Sequence, residues 1–96
     1  MNFTNEQLEE IQELAALLLE PEEIAVLMNI DVDFFFGQIE MRNGAIYAAY
    51  FRGKTETKKA IHENVIKMAK LGSPQAEELA NDFMFKQNLA EKRGRK

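Results

Sequence analysis

A chain of 96 residues is enough for one compact hydrophobic core. Hydrophobic residues make up 46% and charged residues 29% of the chain, as in ordinary globular proteins, which argues against a disordered or collagen-like protein. Cysteine is absent, and this excludes disulfides, thiolate metal sites and a cysteine nucleophile.

The charges are distributed unevenly along the chain. Residues 1–40 hold ten acidic and no basic side chains, whereas residues 41–96 hold six acidic and all twelve basic ones. The net charge of −4 is therefore the sum of −10 and +6. This polarity favours either head-to-tail contact between copies or a basic half that faces a polyanion. The alternative is that both halves are ordinary solvated helix surfaces.

Apolar runs such as residues 14–19 are far shorter than the about 20 residues that span a bilayer. The N-terminus also lacks the basic and then apolar pattern of a secretion signal. We therefore expect a soluble protein that is located in the cytoplasm.

Helical spacing of apolar residues begins close to the N-terminus. Thr4 followed three residues later by Gln7 predicts a capping box, and Phe3 is placed to pack on Leu8 as a hydrophobic staple. The pattern predicts a first helix over residues 5–18. Its apolar stripe consists of Leu8, Ile11, Ala15 and Leu18 and is widened by Leu14 and Leu17.

Two shorter helices are predicted next. Pro21 suits the first turn of a helix over residues 22–28, and Asn29 suits the left-handed conformation that ends it. Asp31 is expected to cap a third helix. The inward residues predicted for these helices are Ile24, Leu27, Met28, Val32, Phe35, Phe36 and Ile39. Phe34 is left on the far side of the third helix, where it either anchors a subunit interface or, if the helix is rotated, belongs to the core.

A long helix is predicted over residues 45–71. Gly53 lies inside it and favours a kink; in a continuous helix, Gly53→Ala is instead expected to stabilise the chain by up to about 1 kcal/mol. The basic residues of this helix form either a DNA-facing stripe or a solvated face. The second interpretation predicts helical ion pairs from Glu56 to Lys59 and from Glu63 to Lys67.

The last helix is predicted over residues 74–90, because Gly72, Ser73 and Pro74 end the long helix and start a new one. Its predicted inward residues are Ala76, Leu79, Ala80 and Phe83. The fold class is therefore all-α: three short helices, then a long helix and a C-terminal helix that form a helical hairpin arm. The predicted domains are a helix-turn-helix domain at 1–43, an oligomerisation arm at 44–91 and a basic tail at 92–96.

The apolar stripe of the arm is larger than two helices can bury against each other, so neighbouring copies are expected to cover it. The candidate interface residues are Phe34, Ile46, Tyr50, Ile61, Val65 and Met68. The chain is therefore expected to act as a homo-oligomer.

Catalytic and metal chemistry find little support in the sequence. Asp31 and Asp33 begin like a calcium loop, but Phe35 stands where a ligand is required and Arg42 where the loop needs a bidentate glutamate. His62 is the only histidine and is interpreted as a solvated helix residue. We therefore predict no enzyme, no cofactor, no metal and no small-molecule substrate.

The segment from Pro21 to Asp31 and on to Phe36 resembles a homeodomain-like helix-turn-helix unit, in which Ala25 permits a close helix crossing and Asn29 forms the turn. The stretch Tyr50-Phe51-Arg52-Gly53-Lys54 and the later Ala69-Lys70-Leu71-Gly72-Ser73-Pro74 resemble phage terminase small subunits and related phage DNA-packaging proteins. That resemblance covers most of the chain. It implies a ring of subunits in the host cytoplasm that binds double-stranded viral DNA and presents it to a large ATPase and nuclease subunit.

The resemblance implies that the third helix faces the DNA, and Gln38 and Arg42 are its candidate contacts. However, Asp31, Asp33 and Glu40 on the same helix would be repelled by phosphate. Mobile positive charge suffices for phosphate contact, so the main DNA-binding candidates are Lys92, Arg93, Arg95 and Lys96 in the tail, followed by Lys58 and Lys59. The alternatives are a tail that only solubilises the chain, a small helix-turn-helix transcription regulator, or a DNA-independent interaction or scaffolding module.

Overall fold

The computed structural model describes residues 3–94, and helices are the only regular secondary structure in that range. The predicted all-α fold is therefore confirmed. Five helices follow one another: α1 (Asn5–Ala16), α2 (Pro21–Met28), α3 (Val32–Glu40), α4 (Gly44–Lys70) and α5 (Pro74–Arg93). None of them is both long and apolar enough to cross a membrane.

The chain divides into two compact units that meet inside α4. Unit 1 is Met1–Lys58 and unit 2 is Lys59–Lys96. The boundary predicted after residue 43 instead separates α3 from α4. Unit 1 has four basic and eleven acidic residues, a net charge of −7, whereas unit 2 has eight basic and five acidic residues, a net charge of +3.

The start of α1 is fixed by the predicted capping box. The Thr4 Oγ1 accepts a hydrogen bond from the Gln7 backbone N–H (3.1 Å), and the Gln7 Oε1 accepts one from the Thr4 N–H (2.8 Å). The helix ends at Ala16, two residues before the predicted end, because Leu18 takes a left-handed conformation with φ of 64°. Leu18 is exposed, so its predicted place in the apolar stripe is wrong.

Local signals also fix the ends of α2 and α3. Pro21 is the first residue of α2, Asn29 ends that helix in the left-handed conformation, and Asp31 accepts a hydrogen bond from the Phe34 N–H (2.9 Å), all as predicted. A capping box that the sequence reasoning missed involves Glu23, whose Oε1 accepts from the Glu20 N–H (2.9 Å).

The core of unit 1 surrounds Phe35, which is completely buried. The buried residues of this core are Ile11, Ala15, Ile24, Ala25, Phe35, Ile46 and Ala49. Phe34 is half-buried and packs against the core, whereas Leu27 and Phe36, which were predicted to point inward, are exposed. The third helix is therefore rotated toward Phe34.

α1 and α4 approach each other closely at Gly53, which is buried inside α4, and the helix continues through this position without interruption. A Cβ at this position would overlap the carbonyl oxygen of Gln12 and lie 3.1 Å from the Cβ of Ala15. The backbone contact therefore requires glycine, so Gly53→Ala is expected to destabilise the chain although α4 is continuous at this position.

Two polar contacts complete this helix crossing. The Thr57 hydroxyl donates a hydrogen bond to the carbonyl oxygen of Ala16, which is left without an intrahelical partner at the end of α1. The Gln12 Nε2 donates to the Glu56 Oε1 (3.0 Å). About one turn of α4 therefore contacts the C-terminal half of α1 within unit 1.

Unit 2 contains the last part of α4 and all of α5. Gly72 has a φ of 97° and ends α4, Ser73 accepts a hydrogen bond from the Ala76 N–H (3.3 Å), and Pro74 begins α5, as predicted. The helix continues to Arg93, three residues beyond the predicted end. Leu79, predicted to point inward, is exposed.

Candidate interaction surfaces

Unit 2 exposes most of its large apolar side chains. We call this set the hairpin surface: Ile61, Ile66, Met68, Leu71, Leu79, Met84, Phe85 and Leu89. By contrast, Ala76 is the one buried residue in the described part of unit 2. Soluble proteins expose single apolar side chains routinely, but a unit in which most of the large apolar side chains are exposed is a candidate for association.

The packing inside unit 2 is confined to one narrow seam. On α4 the partly buried residues His62, Val65 and Ala69 lie on one face, and on α5 the partly buried Ala80 and Phe83 continue the face of Ala76. Small side chains dominate this seam, so it buries little apolar area. A unit of 38 residues without cysteine usually needs a further source of stability, such as association.

His62 belongs to this seam. Its ring stacks on that of Phe83, with centroids 3.6 Å apart and an angle of 6° between the planes. The prediction of a solvated histidine is wrong, because the i, i+3 and i+7 spacing of His62, Val65 and Ala69 turns the imidazole toward α5.

The predicted interface residues of the arm lie in two different environments. Ile61 and Met68 are 47% and 43% exposed and share one edge of α4, while Val65 is half-buried between the helices. Ile46 is buried in the core of unit 1, and Tyr50 packs on that core. An interface role for Ile46 is therefore wrong, because the stripe of α4 changes its packing partner along the helix.

Tyr50 contacts Phe35 edge to face, with ring centroids 6.4 Å apart and an angle of 84° between the planes. Burial raises the pKa of the Tyr50 hydroxyl above its ordinary value of 10.0. Tyr50 is thus partly withdrawn from the surface at which it was predicted to contact another copy.

The two lysines predicted to bind DNA in α4 differ in their surroundings. Lys59 forms an ion pair with Glu63 (3.5 Å), whereas Lys58 is exposed and has no carboxylate within 4.0 Å among residues 3–94. The predicted pairs of Lys59 with Glu56 and of Lys67 with Glu63 are wrong. Each carboxylate instead pairs with the base four residues earlier, and Glu56 contacts Arg52 at 3.6 Å.

Two of the four C-terminal candidates belong to the described part of the chain. Lys92 and Arg93 lie in the last turn of α5 and are exposed, so this part of the predicted tail is helical. Cations at this position also interact favourably with the helix dipole. Arg95 and Lys96 lie outside the described residues.

The third helix presents an acidic surface. Asp33 and Glu40 are exposed, and the half-buried Gln38 directs its Nε2 to the Sδ of Met41 at 4.0 Å. Arg42 is exposed just after the helix end, in a left-handed conformation with φ of 56°. Gln38 carries an amide of the kind that pairs with an adenine edge.

Sequence reasoning missed a second exposed apolar surface, on α2. Val26 is 61% exposed and Leu27 is exposed beside it, and the exposed Glu22 and Glu23 lie one turn earlier on the same face. We call these four residues the α2 face. The sequence could have indicated this exposure. Successive helix residues are rotated by about 100°, so Val26 lies on the side of α2 opposite Ile24 and cannot share its inward stripe.

Within residues 3–94, no group of three or more histidine or acidic side chains is arranged to hold a metal ion. The chain matches no protein-family model, no curated protein and no solved structure among those with which it was compared.

Proposed function

We propose that this chain is a non-catalytic, self-associating DNA-binding subunit of the kind that terminase small subunits represent, in which assembled copies present viral DNA to a packaging motor. The helices α1 to α3 correspond to the helix-turn-helix part of that resemblance, with Asn29 in the turn between α2 and α3. The hairpin of unit 2 corresponds to the oligomerisation arm.

The hairpin surface is the observation that carries the proposal. Ile61 and Met68 are exposed on one edge of α4, and the seam between the two helices buries mainly small side chains. When another copy covers these side chains, each Å² of apolar area removed from water stabilises the contact by about 25 cal/mol. Self-association therefore supplies the stability that unit 2 cannot obtain from its own packing.

Two groups of basic residues support DNA binding. Lys58 is exposed without an ion-pair partner in the described range, and Lys92 and Arg93 extend from the end of α5. Unit 2 also carries the net charge of +3. Assembly multiplies this charge, so that many weak phosphate contacts act together.

The acidic surface of α3 argues against its contacting DNA. Asp33 and Glu40 face solvent on the helix that would enter the major groove, and both would be repelled by phosphate. We propose that α3 supports the fold and that phosphate contacts, rather than base contacts through Gln38 or Arg42, provide the affinity.

DNA binding is tested by fluorescence anisotropy with a labelled duplex over a range of salt concentrations. The full chain is compared with K92Q/R93Q and with K58Q. Each phosphate contact that is lost should reduce the slope of log K against log salt by about 0.9. The matched control is Lys86→Gln, since Lys86 is already paired with Asp82 at 3.1 Å.

The outcomes separate the candidate functions. Salt-dependent binding by an assembly of many copies supports the packaging subunit. Dimers that prefer a palindromic site would indicate a transcription regulator instead. An assembly without DNA binding would indicate a scaffolding module, which the eleven acidic residues of unit 1 also favour.

A further inference from the structure

The α2 face has a complement at the end of α5. The α2 face contains two acidic residues, Glu22 and Glu23, followed one turn later by the exposed Val26 and Leu27. On α5 the exposed Phe85 and Leu89 are followed one turn later by Lys92 and Arg93. We call these last four residues the α5 face. The order of charge and apolarity is therefore opposite along the two helices.

The α5 face points away from the hairpin seam. Successive residues of a helix are rotated by about 100°, so Phe85 lies on the side of α5 opposite Phe83, which stacks on His62. Phe85 is 61% exposed, the same fraction as Val26. Both faces are therefore open in a single chain.

From these observations we infer that the α2 face of one copy binds the α5 face of another copy, with the two helices antiparallel. In that orientation Val26 and Leu27 contact Phe85 and Leu89, and the carboxylates of α2 approach Lys92 and Arg93. This contact deepens the proposed self-assembly and rests on it.

The spacing of the two patterns fits this register. On α2 the centre of the acidic pair lies four residues, or about 6 Å along the helix axis, from the centre of the apolar pair. On α5 the centre of the apolar pair lies five to six residues, or about 8 Å, from the centre of the basic pair. Long lysine and arginine side chains span the difference. A parallel orientation would place the carboxylates on Phe85 and Leu89 and the cations on Val26 and Leu27.

A second copy is the occupant that the charges favour. Unit 1 carries −7 and unit 2 carries +3, so head-to-tail contact pairs opposite charges, whereas contact between like units opposes them. The contact is also heterologous, because it joins two different surfaces. Such contacts form rings when the rotation closes and filaments when it does not.

The test uses two charge-reversed chains, measured by sedimentation velocity without DNA, because phosphate competes for Lys92 and Arg93. One chain carries E22K/E23Q, in which glutamine keeps the acceptor of the α2 capping box. The other carries K92E/R93E. Each chain alone should have its self-association weakened at least about tenfold, because its two faces now repel. A 1:1 mixture should restore association, because the α5 face of each chain then meets an oppositely charged α2 face on the other chain.

A second pair of variants tests the apolar part of the contact. Val26→Gln and Phe85→Gln alter exposed side chains, so circular dichroism should show unchanged helix content while both weaken assembly. The matched control is Met41→Gln, an exposed apolar residue outside both faces.

The inference is overturned if the wild-type chain assembles but the charge-reversed chains associate equally well, or if their mixture does not regain association. It is also overturned if only the α5 variants weaken assembly, since this would indicate contact between like units. A wild-type chain that remains monomeric would overturn the proposed function itself.

Discussion

Gly53 shows that the environment of a single residue can reverse an expectation from helix propensity. Glycine inside a helix is about 1 kcal/mol less favourable than alanine when the position is open. At Gly53 the backbone of Gln12 occupies the space that a Cβ would need. The sequence shows the glycine and its helical register, but the partner lies 41 positions earlier in the chain and becomes visible only in the fold.

We expect Gly53→Ala to lower the free energy of unfolding by about 1 to 3 kcal/mol, since a methyl group must separate α1 from α4. Gly37 provides the matched control, because it also lies within a helix and has no atom within 4 Å of an added Cβ. Gly37→Ala should stabilise the chain by up to about 1 kcal/mol. Urea unfolding of both variants checks the prediction, and equal stabilisation by both would refute the close contact.

Tyr50 should make stability depend on alkaline pH. Burial raises its pKa in the folded chain above 10.0, so at pH values between the unfolded and folded pKa the folded chain binds more protons than the unfolded chain. Stability is unaffected by this group below about pH 10 and falls as the pH rises further.

The variant Tyr50→Phe removes this contribution and keeps the ring that contacts Phe35. Thermal denaturation at pH 9 and at pH 11 should show a smaller loss of stability for the variant than for the wild type. The other titrating groups are common to both proteins and cancel in the comparison. Equal losses would show that the Tyr50 hydroxyl is not desolvated.

At the level of the helices, most starts and stops were predictable from the sequence. The capping residues act through hydrogen bonds or backbone conformations within a few residues, so the local sequence is enough to predict them. These residues are Thr4, Asn29, Asp31 and Ser73. The rotation of α3 was not predictable in this way. Phe34, Phe35 and Phe36 are chemically alike, and which of them faces solvent depends on how α3 packs in the core of unit 1.

The stripe of α4 shows a related limit. Regular apolar spacing predicted one interface from Ile46 to Met68, but the first part of the helix packs in unit 1 and the second part packs on α5. Periodicity identifies the face of a helix and leaves its partner undetermined. The exposed Ile61 and Met68 remain as the predicted interface residues that are available to another copy.

The contact between Thr57 and Ala16 should contribute to the packing of α1 on α4. Thr57→Val keeps the shape of the side chain and removes the donor, which leaves the Ala16 carbonyl without this partner. We expect a loss of about 1 kcal/mol in the free energy of unfolding. Thr55→Val, at an exposed position of the same helix, is the control and should change stability little. Similar effects of the two variants would show that the hydrogen bond contributes nothing specific.

For the whole molecule, charge and apolar surface lead to the same conclusion. Unit 1 is strongly acidic and has a buried core around Phe35, whereas unit 2 is basic and leaves most of its large apolar side chains exposed. Neither property requires the chemistry of an active site. Both support the proposal that several copies of the chain associate.

The mass of the native assembly tests this claim most directly. Sedimentation equilibrium from low micromolar to near-millimolar concentration should show the wild-type chain as an oligomer, and I61Q/M68Q should shift it toward the monomer. The control F36Q/M41Q changes two exposed apolar residues of unit 1 and should leave the mass unchanged. A wild-type chain that remains a folded 11.0 kDa monomer at every concentration would contradict the account.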